Sequence, residues 1–363
     1  MTYAIVSDIH AHAHSLFSKA NPTGVNSRLQ DILDEWERAA IALKSAGGRT
    51  MICAGDIFHV RGSLDPEVLN PVKDTVQGIL GMDIDIIAIP GNHDLKSNDT
   101  NRLSSAVEAL VQNRTERSGT FSVFNEPGVY NAAEQMFCMV PWRSTTKALL
   151  EDIQNQVEEI GDVSDYALVI HAGIDGVVTG MPDHGLTAKI LGDFGFKHVF
   201  AGHYHNHKVL EHGVVSIGAT THHSWRDVDS KAGFLLVEGD KIQFHATHAP
   251  RFIDISGWDE DDIKMEAPGN FIRFRGPPMD AKDLEELRKW LSTLGAKGVQ
   301  VDVAKVSASA RSAASPASGA RSLDDSVLAF VDASASVPAT IDKAKLKQRA
   351  ADVLNRARAV EEA

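Results

Sequence analysis

A chain of 363 residues is long enough for one large domain with a smaller one, or for two or three modest ones. Hydrophobic content of 43% and charged content of 23% fit a soluble globular protein, and no apolar run is long enough to span a bilayer. A formal charge of −13 argues against a simple basic nucleic-acid binder, unless bound divalent metals or a partner subunit supply positive potential locally.

Tyr3 to Val6 reads as a strand with no signal peptide ahead of it, which predicts a cytoplasmic protein. Ser7-Asp8-Ile9-His10 follows, and in extended backbone Asp8 and His10 share a face. His12 and His14 continue the alternation. They either join that face or, on the simpler reading, are solvated loop histidines. Asn26 to Leu43 has helical periodicity, with Leu29, Ile32, Leu33, Trp36, Ala40 and Leu43 on one side. Thr50 to Cys53 is a buried strand that closes in Ala54-Gly55-Asp56-Ile57-Phe58-His59. In open α/β sheets ligands sit just beyond the carboxyl ends of strands, which puts Asp56 where chemistry is expected. Asp65-Pro66 starts a second helix, with proline in its first turn. Ile84 to Ile89 is a strand that runs into Pro90-Gly91-Asn92-His93-Asp94. Arg102 to Val111 is expected to be helical. Phe121 to Phe124 and Gln135 to Val140 read as paired strands around a turn at 125–128. Thr145 to Ile160 is an acidic helix. Tyr166 to Ile170 is a strand ending in His171, and Lys197 to Ala201 is one ending in Gly202-His203-Tyr204-His205. Val209, Val214 to Ile217, Gly233 to Val237 and Ile242 to His245 read as short antiparallel strands. Strand–helix alternation followed by a strand-rich half predicts two packed sheets with helices outside. Cys53 and Cys138 lie in apolar runs and read as buried reduced thiols.

Composition changes near Trp258. The acidic stretch 259–262 reads as a solvated loop. Phe271 to Phe274, Asp280 to Leu294 and Val299 to Val303 form a compact β-α-β unit, expected to be a small separate domain. Ser307 to Arg321 is rich in alanine and serine and reads as a flexible linker. Leu323 to Val331 and Ile341 to Val360 read as two short helices with too little core of their own, so they are expected to dock on something.

The strand ends collect Asp8, His10, Asp56, Asn92, His171, His203 and His205: two carboxylates, one amide oxygen and four imidazoles. Mixed nitrogen and oxygen ligation suits Mn, Fe or Zn better than Ca. Seven ligands exceed what one ion needs. With Asp56 bridging, they satisfy two ions about 3.5–4 Å apart. Paired metals suit phosphoester hydrolysis, because they generate a nucleophile from water and neutralise the phosphoryl oxygens. His93, beside Asn92, reads as the general acid or transition-state donor. Asp94, the next residue, reads as its orienter. Any one buried histidine is more often a satisfied core residue than a ligand; five such elements, each ending an apolar run, carry the reading.

Ser7-Asp8-Ile9-His10, Gly55-Asp56-Ile57-Phe58-His59, Gly91-Asn92-His93-Asp94, His171-Ala172-Gly173 and Gly202-His203-Tyr204-His205 resemble the motifs of the calcineurin-like metallophosphoesterase superfamily. The resemblance implies an α/β fold, a four-layer αββα sandwich. It also implies Asp8, His10, Asp56 and His205 on one metal, and Asp56, Asn92, His171 and His203 on the other. Two divalent ions are expected, Mn2+ first, with Mg2+, Fe2+ or Zn2+ as alternatives.

Within that superfamily the chain resembles the SbcD-type nuclease subunit of DNA double-strand-break repair complexes, bacteriophage versions included. His59, three residues after Asp56, matches that branch's second active-site histidine, which lies near the DNA. Lys231 to Glu238 resembles its strand after the last ligand, and Asn270 to Val303 resembles its DNA-capping domain. The tail helix pair resembles the segment that docks on the coiled-coil base of an SMC-like ATPase. The implied plan is a nuclease domain over 1–257, a capping domain over 266–305, a linker over 306–321 and a helical docking segment over 322–363. The implied activity is that of a two-metal DNA exo/endonuclease subunit in repair, recombination or replication. It would work as a homodimer with the ATPase, in the cytoplasm of a bacterial or phage-infected cell. A phosphodiesterase for small nucleotides and a non-catalytic scaffold are the alternatives. The cap and docking helices argue against the first, and the intact ligand set with His93 against the second. One departure is Thr220-Thr221-His222-His223-Ser224-Trp225, which stands where that branch has a Pro-Gly-Ser turn; His222 and His223 either face the substrate or, on the simpler reading, are surface histidines.

Overall fold

The computed structural model describes residues 2–96, 105–112, 118–132, 135–303, 327, 330 and 342–361. By compactness the chain forms two units, Met1–Val306 and Ser307–Ala363. The first unit is built on three sheets. In the first sheet β1 (Thr2–Val6), β2 (Thr50–Ala54), β3 (Asp85–Ile89) and β4 (Phe121–Val123) run parallel. On the other side of β1, β11 (Gly233–Glu238) pairs antiparallel, followed by β12 (Lys241–Ala246). The second sheet comprises β5 (Gly128–Asn131), β6 (Met136–Val140), β7 (Tyr166–His171), β8 (His198–Gly202), β9 (Lys208–Val209) and β10 (Val214–Ser216). Its order is β5-β6-β7-β8-β10-β9. The third sheet is all parallel: β13 (Phe252–Asp254), β14 (Phe271–Arg275) and β15 (Gly298–Asp302).

The near-continuous apolar runs of β1, β2 and β3 follow from burial on both faces. Ala4 and Val6 pack under α1 (Ser27–Ser45) and α2 (Pro66–Gly81). Tyr3 and Ile5 point the other way, into a core shared with Phe137, Val169 and Phe200 of the second sheet. Tyr3 meets Phe137 edge to face at 5.0 Å. The second sheet's outer face is covered by α3 (Thr146–Ile160) and α4 (Ala188–Gly192). Helix, sheet, sheet, helix is the predicted αββα sandwich. Local chemistry fits: Asn26 caps α1 by accepting from the Arg28 and Leu29 amides, and Asp65 caps α2 with proline at its start. Both cysteines are buried free thiols, and burial pushes Cys138 up to about 12.

Several elements differ from expectation. β4 and β6 do not pair with each other. β4 joins β3 in the first sheet, and β6 takes the short strand β5, which the sequence reading missed, as its antiparallel partner. The turn at 125–128 therefore crosses between sheets. β10 runs parallel to β8. Of the helix expected over 102–111, the described part is a 3-10 turn at Ala106–Leu110. The acidic stretch 259–262 is not a loop: Asp259 caps α5 (Glu260–Glu266), and its first turn carries three acids, which the helix dipole favours there.

The third sheet, α5 and α6 (Ala281–Thr293) share a small core of Ile253, Ile255, Ile263, Ile272 and Leu291. This layer is tied to the sandwich. Trp225 Nε1 donates to Gln300 Oε1 at 2.7 Å, Phe17 stacks on Phe271 at 5.3 Å, and the Arg28 guanidinium lies 5.0 Å over Phe252. In the second unit α7 (Lys343–Glu361) is a helix, as expected. The Ala/Ser-rich linker and nearly all of the helix expected at 323–331 lie outside the described residues. Among the described residues no helix is long and apolar enough to cross a membrane.

Candidate metal centre

Five strands of the two parallel cores end at or just before a candidate site residue. β1 and β2 stop just before Asp8 and Asp56, β3 before Asn92, β7 ends in His171, and β8 stops before His203. The expected extended alternation is not how the pairs converge. Asp8, His10, Asp56 and His203 all have positive φ, at 50, 46, 55 and 94°. Such backbone is costly for non-glycine residues and persists only where the surroundings over-determine it, typically at functional sites. Here the two loops brace each other: Asp8 N donates to Gly55 O at 3.0 Å and His10 N to Asp56 O at 2.9 Å. Gly91 permits the closest approach, since a Cβ there would sit 2.2 Å from Asp56 Oδ1.

All seven expected donor residues meet, in two groups. Ligating atoms of Asp8, His10 and His205 lie within 4.8 Å of one another, and so do those of Asp8, Asp56 and His171. Asp8 is common to both groups, and Asp56, in the second, reaches the first through His10. Asp56 Oδ2 is 3.6 Å from His10 Nε2 and 3.4 Å from His171 Nε2, while its Oδ1 accepts the His93 amide at 2.7 Å. Asn92 Oδ1 lies 3.2 Å from His171 Nε2 and 2.9 Å from His203 Nδ1. His205 Nε2 faces His10 Nε2 at 3.2 Å.

The outward nitrogens are held. His171 Nδ1–H donates to Ala54 O at 2.7 Å, and His205 Nδ1–H donates to Asp227 Oδ1 at 2.6 Å. Such bonds fix the tautomer and raise the basicity of the nitrogen left for a metal. Asp227 was not foreseen; it is 22 residues from His205, and no local spacing signals the pair. Its Oδ2 accepts the His223 and Ser224 amides at 2.8 Å each. All its partners are donors, so the amide of Asp227→Asn cannot satisfy them together. We expect that variant to bind Mn2+ about 10- to 100-fold more weakly by calorimetric titration.

The charge balance fits a cation site. Burial pushes the Asp8 carboxyl up, against the pull of His171 and His205. Burial also opposes ionisation of Asp56, but His171, His10 and His93 hold it well below the usual carboxylate range. Burial disfavours the charged His171 ring, yet Asp56 and Asp8 raise it to about 9. Without ions, imidazolium protons thus neutralise the carboxylates, and metal binding would displace them. Asp8 Oδ1 is buried with no hydrogen-bond partner, a costly state that a cation would relieve. The mixed donor set therefore fits two divalent ions: Asp8, His10, Asp56 and His205 would hold one, and Asp56, Asn92, His171 and His203 the other.

The expected catalytic residues need one correction. His93 borders the cavity beside the donors, and its Nδ1–H donates to His59 O at 2.6 Å. Asp94 is not its orienter. The Asp94 carboxylate accepts the amides of Ile57, Phe58 and Gly91 at 3.3, 3.0 and 2.9 Å, stapling the loop after β2 to the loop after β3. Burial and the Asp56 charge push Asp94 up to about 7. His59 Nδ1 lies 3.3 Å from His10 Nδ1, so it touches the outward side of a candidate ligand.

The four unplaced histidines are less exposed than solvated or surface residues, and His14 and His223 border the same cavity as His10. His12 and His14 are half-buried against His59, with ring centroids 5.0 and 5.4 Å away. His222 and His223 are buried. His222 accepts the Phe252 amide at 3.2 Å, and His223 Nε2–H donates to Asp8 O at 3.0 Å. The third-sheet strand β13 covers His222, while His223 packs against Asp8, His10 and His205 of the sandwich, approaches that a local reading cannot foresee. Burial, then His205, lowers His223 to about 3. Its pKa in the unfolded chain is near 6.5, so the unfolded state takes up the proton first and stability falls as pH drops below that value. Between pH 7 and pH 5 this one group should cost the metal-free protein about 2 kcal/mol. Urea unfolding across that range checks it, and His223→Gln should flatten the dependence.

A comparison with curated proteins finds no significant match. Among solved structures the chain is similar to a dimetal phosphatase from Danio rerio, at 11% identity over 65% of this chain and 91% of that one, with a TM-score of 0.37. It is also similar to the nuclease MPE of Pseudomonas putida, at 18% identity over 59% of this chain and 66% of that one, with a TM-score of 0.26. Residues 1–207, which carry every candidate metal ligand, match the family model described as calcineurin-like phosphoesterase, and the chain belongs to that family of metal-dependent hydrolases of phosphoester bonds.

Proposed function

We propose that the protein is a two-metal DNA exo/endonuclease subunit that acts with an SMC-like ATPase in DNA repair, recombination or replication. The observation that carries this reading is the cavity over the donor set. It has a volume of about 820 Å³ and is bordered by His10, His59, His93, His203, His205 and Asp227. That lies within the roughly 300–1,000 Å³ of small-molecule sites, so the case for a polymer substrate rests on the rim and not on the volume. Arg226 and Ser224 on its rim flank Trp225, the residue bonded to the third sheet. A capping layer that touches the substrate wall is what a nuclease for long substrates requires, and a small-nucleotide enzyme does not.

In this reading paired divalent ions supply the nucleophile and neutralise phosphoryl charge. With its Nδ1–H held on His59 O, the His93 ring has Nε2 left to meet the phosphodiester oxygens, and in its doubly protonated form it donates a hydrogen bond or proton there. Asp94 and Asp227 position the loops and the His205 ring. The acidic chain charge is tolerated because the ATPase partner contributes duplex grip. The protein would act as a homodimer in the bacterial or phage-infected cytoplasm.

The direct test is Mn2+-dependent degradation of linear DNA. Turnover of bis-p-nitrophenyl phosphate with DNA left intact, even with the ATPase present, would favour a small-substrate phosphodiesterase instead. Deleting 323–363 should spare bis-p-nitrophenyl phosphate turnover and abolish co-purification with the ATPase. Co-purification that survives the deletion removes the docking role from α7.

A further inference from the structure

We propose that a second, smaller cavity beside His203 receives a nucleobase of the substrate; the inference deepens the proposed hydrolysis of nucleic-acid phosphodiesters and rests on it. This cavity has a volume of about 190 Å³ and is separate from the larger one. His203 and Tyr204 border both, so the two cavities meet at a candidate metal ligand. Its volume is below the roughly 300 Å³ at which drug-sized sites begin, so it takes one ring system and not a dinucleotide.

The walls suit a flat ring. The Trp142 ring lies 5.2 Å from that of His203, inclined by 30°, and the Tyr204 ring lies 5.3 Å from it at 38°. Leu149, Leu186 and Ala172 supply apolar surface. Room for Tyr204 depends on Gly173, where a Cβ would fall 2.5 Å from Tyr204 Cζ. A phosphate is the poorer occupant. The guanidinium bordering the cavity, that of Arg143, is already paired with Glu126 and Asp152. Aromatic platforms beside a phosphate-processing centre are how proteins hold the bases of single-stranded substrates with little sequence preference.

The test uses the full chain loaded with Mn2+ and two esters with the same leaving group: thymidine 5′-(p-nitrophenyl phosphate) and its deoxyribose counterpart lacking the base. The wild-type protein should show a KM for the thymidine ester lower by about 5- to 100-fold at similar kcat, the range that stacking one base spans. Trp142→Leu should erase the difference, and Trp142→Phe should keep most of it. Reading a ratio between two substrates separates base binding from a general loss of activity. Should Trp142→Leu fail to fold, Tyr204→Leu serves as the second variant. Equal KM values for the two esters in the wild-type protein overturn the proposal, and so does turnover of neither. Linear DNA assayed in parallel separates the two readings. A preference for the thymidine ester with DNA left intact sinks the nuclease reading and keeps the base site. DNA cleavage with equal KM values does the reverse.

Discussion

Asp56→Asn should lose activity on any phosphodiester by at least about a thousandfold, because the several kcal/mol that paired cations supply depends on a shared anionic ligand. The substitution keeps the shape of the side chain and an oxygen to accept the His93 amide. What it removes is charge. Oδ2 of Asp56 serves both donor groups, 3.6 Å from His10 Nε2 and 3.4 Å from His171 Nε2. Loss at this one position should therefore weaken both metals, whereas loss of His205 should weaken chiefly one. Metal content by atomic emission after dialysis reads this directly. The variant should retain its circular dichroism, since the Asp94 staple and the β1–β2 loop bonds remain. Two tightly held ions per chain in Asp56→Asn would show that the carboxylate does not bridge.

His93→Gln should behave differently. Two metals should stay bound while kcat falls by about 10²- to 10⁴-fold, the usual worth of a positioned proton donor. The geometry separates the two cases. His93 contributes its backbone amide to Asp56 Oδ1, which glutamine preserves, and its ring to His59 O. Metal retention distinguishes a residue that meets the substrate from one that builds the cage. A thousandfold loss accompanied by metal depletion would reassign His93 to the cage. Unchanged kcat with full metal content would remove it from the chemistry altogether.

The site was legible in the sequence to an unusual depth because parallel strands announce their ends. An apolar run such as 50–53 or 166–170 that stops at Asp, Asn or His leaves the polar residue at the carboxyl edge of a sheet, where neighbouring strands must bring theirs too. The two-residue spacing of Asp8 with His10, and of His203 with His205, picked out residues that do converge, but by the wrong geometry. Their convergence comes from left-handed backbone at Asp8, His10 and His203, and not from strand alternation. Sheet membership was less legible. Phe121 to Val123 and Met136 to Val140 look like a hairpin locally, yet the cores on either side of the sandwich claim one each.

The chain read locally supplied β1, β2, β3, β7 and β8, the helices α1, α2, α3 and α6, and the seven candidate ligands near the strand ends. Each of these rests on residues adjacent in the chain. Only the packed fold shows that Asp227 holds His205, that Asp94 clasps two loops instead of His93, that His222 is buried against β13 and that His223 is buried against Asp8. Each of these pairs groups from segments whose approach depends on the packing of whole layers. No local periodicity encodes which carboxylate a ring nitrogen will meet once those layers close.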